Sequence, residues 1–185
     1  AWIYVKSLPT TYMPIIGKTL PVGFYKSFDI NQDTVPGSLE AYLPTNSCNN
    51  RVDVYSPANS IKTNRWQYVA VTWTGSFQLS SVVLYIDGVA MPQDAASNTT
   101  GSAGSPCDDS GVSQLIGADL VNALNFNGLI DDVRIYNRAL SKDEVKRLYN
   151  IGGTLHVNTQ INNDSLQKGL VGYWSFDGKD MAGNT

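Results

Sequence analysis

Apolar and polar residues alternate with a period of two through roughly the first 140 residues of the chain. Strand-like runs fall at 1–6, 15–20, 22–30, 39–43 and 52–55, most of them separated by turn residues. The strongest run is 66–74 (WQYVAVTWT). There Trp66, Tyr68, Ala70 and Thr72 share one face, and Gln67, Val69, Val71 and Trp73 share the other. Both faces are largely apolar or aromatic, which predicts a central strand covered on both sides. Further runs follow at 81–87 and 89–91, joined by Asp87-Gly88, a strong short-range hairpin signal. Others lie at 113–118 and 128–136.

One helix is signalled, over 142–150. Ser141 and Glu144 have the spacing of a capping box, Leu140 and Val145 that of a hydrophobic staple, and Gly152-Gly153 can end the helix. Val145 and Leu148, three apart, are placed to pin it to the sheet. Residues 154–167 are rich in amides and read as a linker, after which 169–176 (GLVGYWSF) returns to a strand pattern. Many short strands with almost no helix predict an all-β antiparallel β-sandwich with one short C-terminal helix.

Composition narrows the function classes. Charged residues make up 16% of the 185-residue chain and the net charge is −3, so there is no basic field for nucleic acid. No apolar run is long enough to span a bilayer. The first residue is Ala1 rather than Met, which is expected of a piece of something longer. Cys48 and Cys107 both lie in loop-like stretches, and a disulfide between them would fit an oxidising compartment.

Three stretches, 66–75 (WQYVAVTWTG), 84–89 (LYIDGV) and 126–149 (FNGLIDDVRIYNRALSKDEVKRLY), resemble the laminin G-like, concanavalin A-like sandwich family. The last is similar to that family's closing strand and helix almost position for position. The resemblance covers residues 1–150 and implies a concanavalin A-like jelly roll. It leaves 151–168 as a linker and 169–185 as a strand resembling the opening of a further repeat. By the family's order that opening strand should come first, so the chain is out of phase with the repeat. Either it is a window cut from tandem repeats, or the last strand folds back to fill its own missing opening position. The family's second and third strands have no counterpart here, so exposed sheet edges are expected, and such edges invite strand addition.

Catalysis is poorly supplied. The chain has one histidine, His156, in the linker, and two glutamates, Glu40 and Glu144, the second already committed to the cap. Sandwich glycosidases of related fold carry Glu-x-Asp-x-x-Glu on one strand, and no such strand is present. Calcium is the plausible metal, with Asp131, Asp132 and Asp177 as candidate ligands; the resemblance places Asp177 near the other two. The competing reading is that Asp131 is satisfied by backbone amides or an arginine at a bulge. Trp2, Trp66, Trp73 and Trp174 all sit in strand-like runs, where core packing is the default. Ligand candidates are therefore loop residues: Tyr12, Asn46, Asn49, Asn50 and Arg51, with Asn98, Asp108 and Asp109 opposite. Asn98-Thr99-Thr100 and Asn163-Asp164-Ser165 match the N-glycosylation pattern, which chance explains in an Asn-rich chain. The expectation is a non-catalytic extracellular or cell-surface module, binding carbohydrate or an extracellular protein. The alternative is an assembly subunit that self-associates by strand exchange. Nucleic acid and membrane insertion are not expected.

Overall fold

The computed structural model describes residues 1–19, 25–45, 50–101, 108–118, 124–153 and 164–176. Thirteen strands are described, and they form two antiparallel sheets and a separate two-stranded ladder. In chain order they are β1 (Trp2–Val5), β2 (Tyr12–Thr19), β3 (Tyr25–Asn31), β4 (Ser38–Thr45), β5 (Asn50–Tyr55), β6 (Trp66–Trp73), β7 (Val82–Ile86), β8 (Val89–Ala90), β9 (Asn98–Thr100), β10 (Leu115–Ile116), β11 (Gly128–Asp131), β12 (Val133–Tyr136) and β13 (Leu170–Trp174). Two helices, α1 (Lys142–Gly153) and α2 (Asp164–Gln167), precede the last strand.

One sheet has the order β11-β1-β6-β7-β8 and the other β10-β2-β3-β4-β5-β9. The odd residues of β1 and the alternate residues Phe28, Ile30, Leu39, Ala41, Val52 and Val54 meet between the sheets as the main core. This is the period-two pattern carried into packing, since every second side chain of a strand reaches the same layer. The β7–β8 hairpin turns at Asp87 and Gly88, with φ of 50° and 75°, as a two-residue primed turn demands. A Cβ at Gly88 would also lie 2.9 Å from the Tyr149 ring, so glycine serves both the turn and the approach of α1.

β6 carries two apolar faces, as its sequence predicts. Val69 belongs to the sandwich core, while Tyr68 joins Tyr85, Val145, Leu148 and Leu166 in a second cluster on the outer side of that sheet. α1 covers this side. Its capping box is formed: the Ser141 N–H donates to Glu144 Oε2 at 2.9 Å, and the Glu144 N–H donates to Ser141 Oγ at 3.3 Å. Trp2 stacks on Tyr149 with ring centroids 5.6 Å apart.

Several expectations need correction. The span read as a linker, 151–168, carries the last turn of α1 and the short α2, because Leu166 buries against Val145 and Leu148. Arg138 holds α2 in place, donating to the Ser165 and Lys168 carbonyls. Trp66 is not core but 43% exposed, edge-on to Tyr4 on the outer side of its sheet. The run 128–136 is broken in two at Asp132, whose φ of 53° makes the step from β11 to β12. β13 pairs antiparallel with β12 of the same chain, Val133 opposite Trp174 and Arg134 opposite Tyr173.

Candidate functional site

With the core side of the six-stranded sheet apolar, alternation sends Ser27, Asp29 and Asn31 of β3, Ser38, Glu40 and Tyr42 of β4, and Arg51, Asp53 and Tyr55 of β5 to its other side. Register then aligns them in rungs. One rung runs Pro14–Asp29–Glu40–Tyr55, and the next runs Gly17–Ser27–Tyr42–Asp53–Asn98. Of these, Ser27, Asp29, Asn31, Glu40, Tyr42, Arg51, Asp53 and Tyr55 line a pocket of about 290 Å³, together with Tyr12, Lys18, Asp33 and Thr34.

Three carboxyl groups lie side by side at its floor. Asp29, Glu40 and Asp53 are 3%, 6% and 3% exposed, and the charges of Asp29 and Glu40, and of Glu40 and Asp53, act on one another. Their remaining partners are fixed. The Asn31 amide donates to Glu40 Oε2 at 2.7 Å, while Asn31 Oδ1 accepts from the backbone N–H of Thr34 and of Val35. Ser27 Oγ donates to Asp29 Oδ2 at 2.7 Å, and the Tyr55 hydroxyl donates to Asp53 Oδ2 at 3.0 Å. Arg51 reaches over the Tyr42 ring at 5.2 Å and lies 3.4 Å from Asp53.

Burial, reinforced by the charge of Asp29, pushes the Glu40 carboxyl up to about 8. Burial and the neighbouring Glu40 push Asp53 up to about 7. Burial also raises the Tyr42 and Tyr55 hydroxyls. The cause is general: removing a carboxylate from water and setting another beside it both favour the protonated form. Near neutral pH the floor of the pocket therefore holds shared protons, so it can donate as well as accept hydrogen bonds.

The loop residues expected to bind a ligand are dispersed. Tyr12 and Arg51 line the pocket, and Asn50 begins β5 opposite Thr45. The Asp109 carboxylate is 3.4 Å from Lys18, which lines the pocket, and Asp108 is exposed. Asn98 lies on β9 at the far edge of the sheet from β2, exposed and donating to the Ala96 carbonyl. Asn46, Asn49, Cys48, Cys107, His156 and Asp177 fall outside the described residues, and with them the expected disulfide.

Asp131 and Asp132 are engaged by the chain itself. Asp131 Oδ1 accepts the Asp132 N–H at 2.7 Å, and Asp132 Oδ1 accepts the Tyr173 hydroxyl at 2.6 Å and Arg134 at 3.3 Å. Asp131 thus accepts from a backbone amide, and the arginine reaches Asp132. Among the described residues no group of three or more His, Cys, Asp or Glu is placed to hold a metal ion, and Asp177, the third expected ligand, lies outside them.

Sequence reasoning missed Asp29, Glu40 and Asp53 as a set. It searched for carboxylates on one strand, whereas these sit on three adjacent strands. The available signal was the matched pattern Ser-x-Asp-x-Asn, Ser-x-Glu-x-Tyr and Arg-x-Asp-x-Tyr in three successive strand runs.

An antiparallel β-sandwich with a polar, tyrosine-walled pocket on one sheet defines a jelly-roll module of the lectin and glucanase type. The family model described as the concanavalin A-like lectin/glucanases superfamily, of laminin G type, matches residues 1–146, and the chain belongs to that family. A comparison with curated proteins returns no match.

Proposed function

We propose that the chain is a non-catalytic binding module whose pocket on the six-stranded sheet receives a carbohydrate. The observation that carries this reading is that Asp29, Glu40 and Asp53 line one pocket with Tyr12, Tyr42 and Tyr55. Sugars present hydroxyls that both donate and accept, together with apolar C–H faces. A protonated carboxyl beside an ionised one, Asn31 and Arg51 answer the hydroxyls, and tyrosine rings answer the faces. Strands rather than loops carry these groups, so little ordering is needed on binding. The chain lacks the Glu-x-Asp-x-x-Glu strand of sandwich glycosidases, which favours binding over turnover.

The same reading places the module in a secreted or cell-surface protein, as the family resemblance implies; among the described residues no helix is long and apolar enough to cross a membrane. The test is a screen against a glycan array, followed by calorimetry on the best oligosaccharide. Tyr42→Ala and Arg51→Ala should each weaken binding by about tenfold or more, ~1.4 kcal/mol, while Asn98→Ala at the far sheet edge leaves it unchanged. Affinity insensitive to Tyr42 and Arg51 would remove the pocket from the reading, and cleavage of the bound oligosaccharide would overturn its non-catalytic part. Binding only to a protein on the same variants would shift the ligand class.

A further inference from the structure

The pocket on the six-stranded sheet carries more acid than base. Asp29, Asp33, Glu40 and Asp53 line it, against Lys18 and Arg51. Both cations are already engaged. The Lys18 ammonium lies 3.4 Å from the Asp109 carboxylate and donates to the Asp109 carbonyl at 3.1 Å, while Arg51 lies over the Tyr42 ring and beside Asp53. The floor is also short of donors. Asp53 Oδ2 accepts the Tyr55 hydroxyl, but Asp53 Oδ1 is buried and no hydrogen-bond partner reaches it among the described residues. A buried acceptor in that condition is costly to the fold, and it is where a donor brought by a ligand gains most.

We infer that the pocket takes an amino sugar, with its ammonium seated against Asp53 and Glu40 and its ring against the tyrosines. The inference rests on the carbohydrate reading above and narrows it to one ligand class. An ammonium brings three donors and no acceptor, which suits a floor of carboxyl oxygens, whereas a hydroxyl brings one donor together with lone pairs that the floor repels. A bare metal ion fits less well, since among the described residues no three acidic groups are placed to hold one. It would also leave Tyr42 and Tyr55 nothing to pack against, while a pyranose ring offers them its C–H faces.

Proton balance separates an amine from a neutral ligand. Burial, joined by the charge of Asp29, holds Glu40 at about 8, and burial joined by the charge of Glu40 holds Asp53 at about 7. An ammonium beside them favours the ionised forms and expels protons. A neutral ring that only excludes water favours the protonated forms and expels none. Burial raises the Tyr42 and Tyr55 hydroxyls, so the tyrosines keep their protons and the carboxyls are the source of any that leave.

The experiment is calorimetry on the 185-residue chain with three β-(1,4)-linked trimers that differ only at carbon 2: those of glucosamine, N-acetylglucosamine and glucose. Titrations at pH 6.5 in two buffers of different ionisation enthalpy count the protons exchanged. The glucosamine trimer should bind about tenfold or more tighter than the other two, release about one proton, and gain about tenfold in affinity from pH 5.5 to pH 6.5. Asp53→Asn should cut the ratio of glucosamine to glucose affinity by about tenfold, with Glu40→Gln as the second variant and near-ultraviolet circular dichroism as the check on folding. Equal affinity for the three trimers, or binding of the glucosamine trimer without proton release, overturns the inference and leaves the carbohydrate reading to the neutral trimers. A preference for the amine that survives in both variants places the ammonium outside the pocket and overturns it too. Butylamine binding as tightly as the glucosamine trimer overturns the sugar part. Failure of all three trimers to bind also overturns the inference, and the glycan array then decides the carbohydrate reading by itself.

Discussion

Tyr55 shows how much a single hydroxyl does at the floor of the pocket. Its ring forms one wall and its O–H donates to Asp53 Oδ2, while Asp53 is 3% exposed and already shares its surroundings with Glu40. Tyr55→Phe keeps the ring and removes the donor. A buried acceptor that loses its partner costs about 1–3 kcal/mol, so urea denaturation should show a loss in that range with little change in slope. Asp53 should also rise further, because the Tyr55 hydrogen bond is one of the influences that lower it. An unchanged midpoint would mean that water takes the place of the hydroxyl and that the floor is wetter than its burial indicates.

At the scale of elements, two fastenings hold the C-terminal part to the sandwich. Asp132 accepts from Tyr173 and Arg134, and the Arg134 guanidinium lies 4.5 Å over the Tyr173 ring, so one carboxylate ties β13 to the bulge before β12. Asp132→Ala should release that tie, seen as faster amide exchange at Val171 and Tyr173 while the Ile30 and Val54 amides of the core keep their protection. The second fastening is Glu144, which caps α1 and takes a two-pronged contact from Arg138 with both distances at 2.8 Å, and these partners hold its carboxyl down at about 2. Glu144→Ala should cost about 1–2 kcal/mol, mostly from the cap, since Arg138 is partly exposed and its ion pair is screened. The helix was legible because its cap and staple are local in sequence. α2 was not, because one turn is too short to show a period, and β9 was not, because Asn98, Thr99 and Thr100 are all exposed and give no apolar beat. The pocket was half legible. Each of Asp29, Glu40 and Asp53 alternates with apolar neighbours in its own strand, but only register brings the three together, and register depends on the pairing of whole strands rather than on any one segment.

For the whole molecule, stability should depend on pH through groups that pull in opposite directions. Glu40 and Asp53 rise from 4.5 and 3.8 to about 8 and about 7 on folding, so the folded chain binds more protons than the unfolded one between those values. Their contribution is full below about pH 4 and is lost as pH rises toward 8. The Ala1 amine falls from 8.0 to about 5, so its contribution is full above pH 8 and is lost as pH falls toward 5, opposing the carboxyls across the same window. Two raised carboxyls against one lowered amine leave a net decline in melting temperature from pH 5 to pH 8. Acetylating Ala1 should steepen that decline, since it removes the opposing group. Glu40→Gln should flatten it and bring the melting temperature at pH 8 closer to that at pH 5. Melting curves of the three proteins at matched ionic strength between pH 5 and pH 8 decide the matter. A melting temperature that rises with pH in the acetylated protein would mean that the carboxyls at the pocket floor are ionised when folded, and that the pocket presents charge rather than shared protons to its ligand.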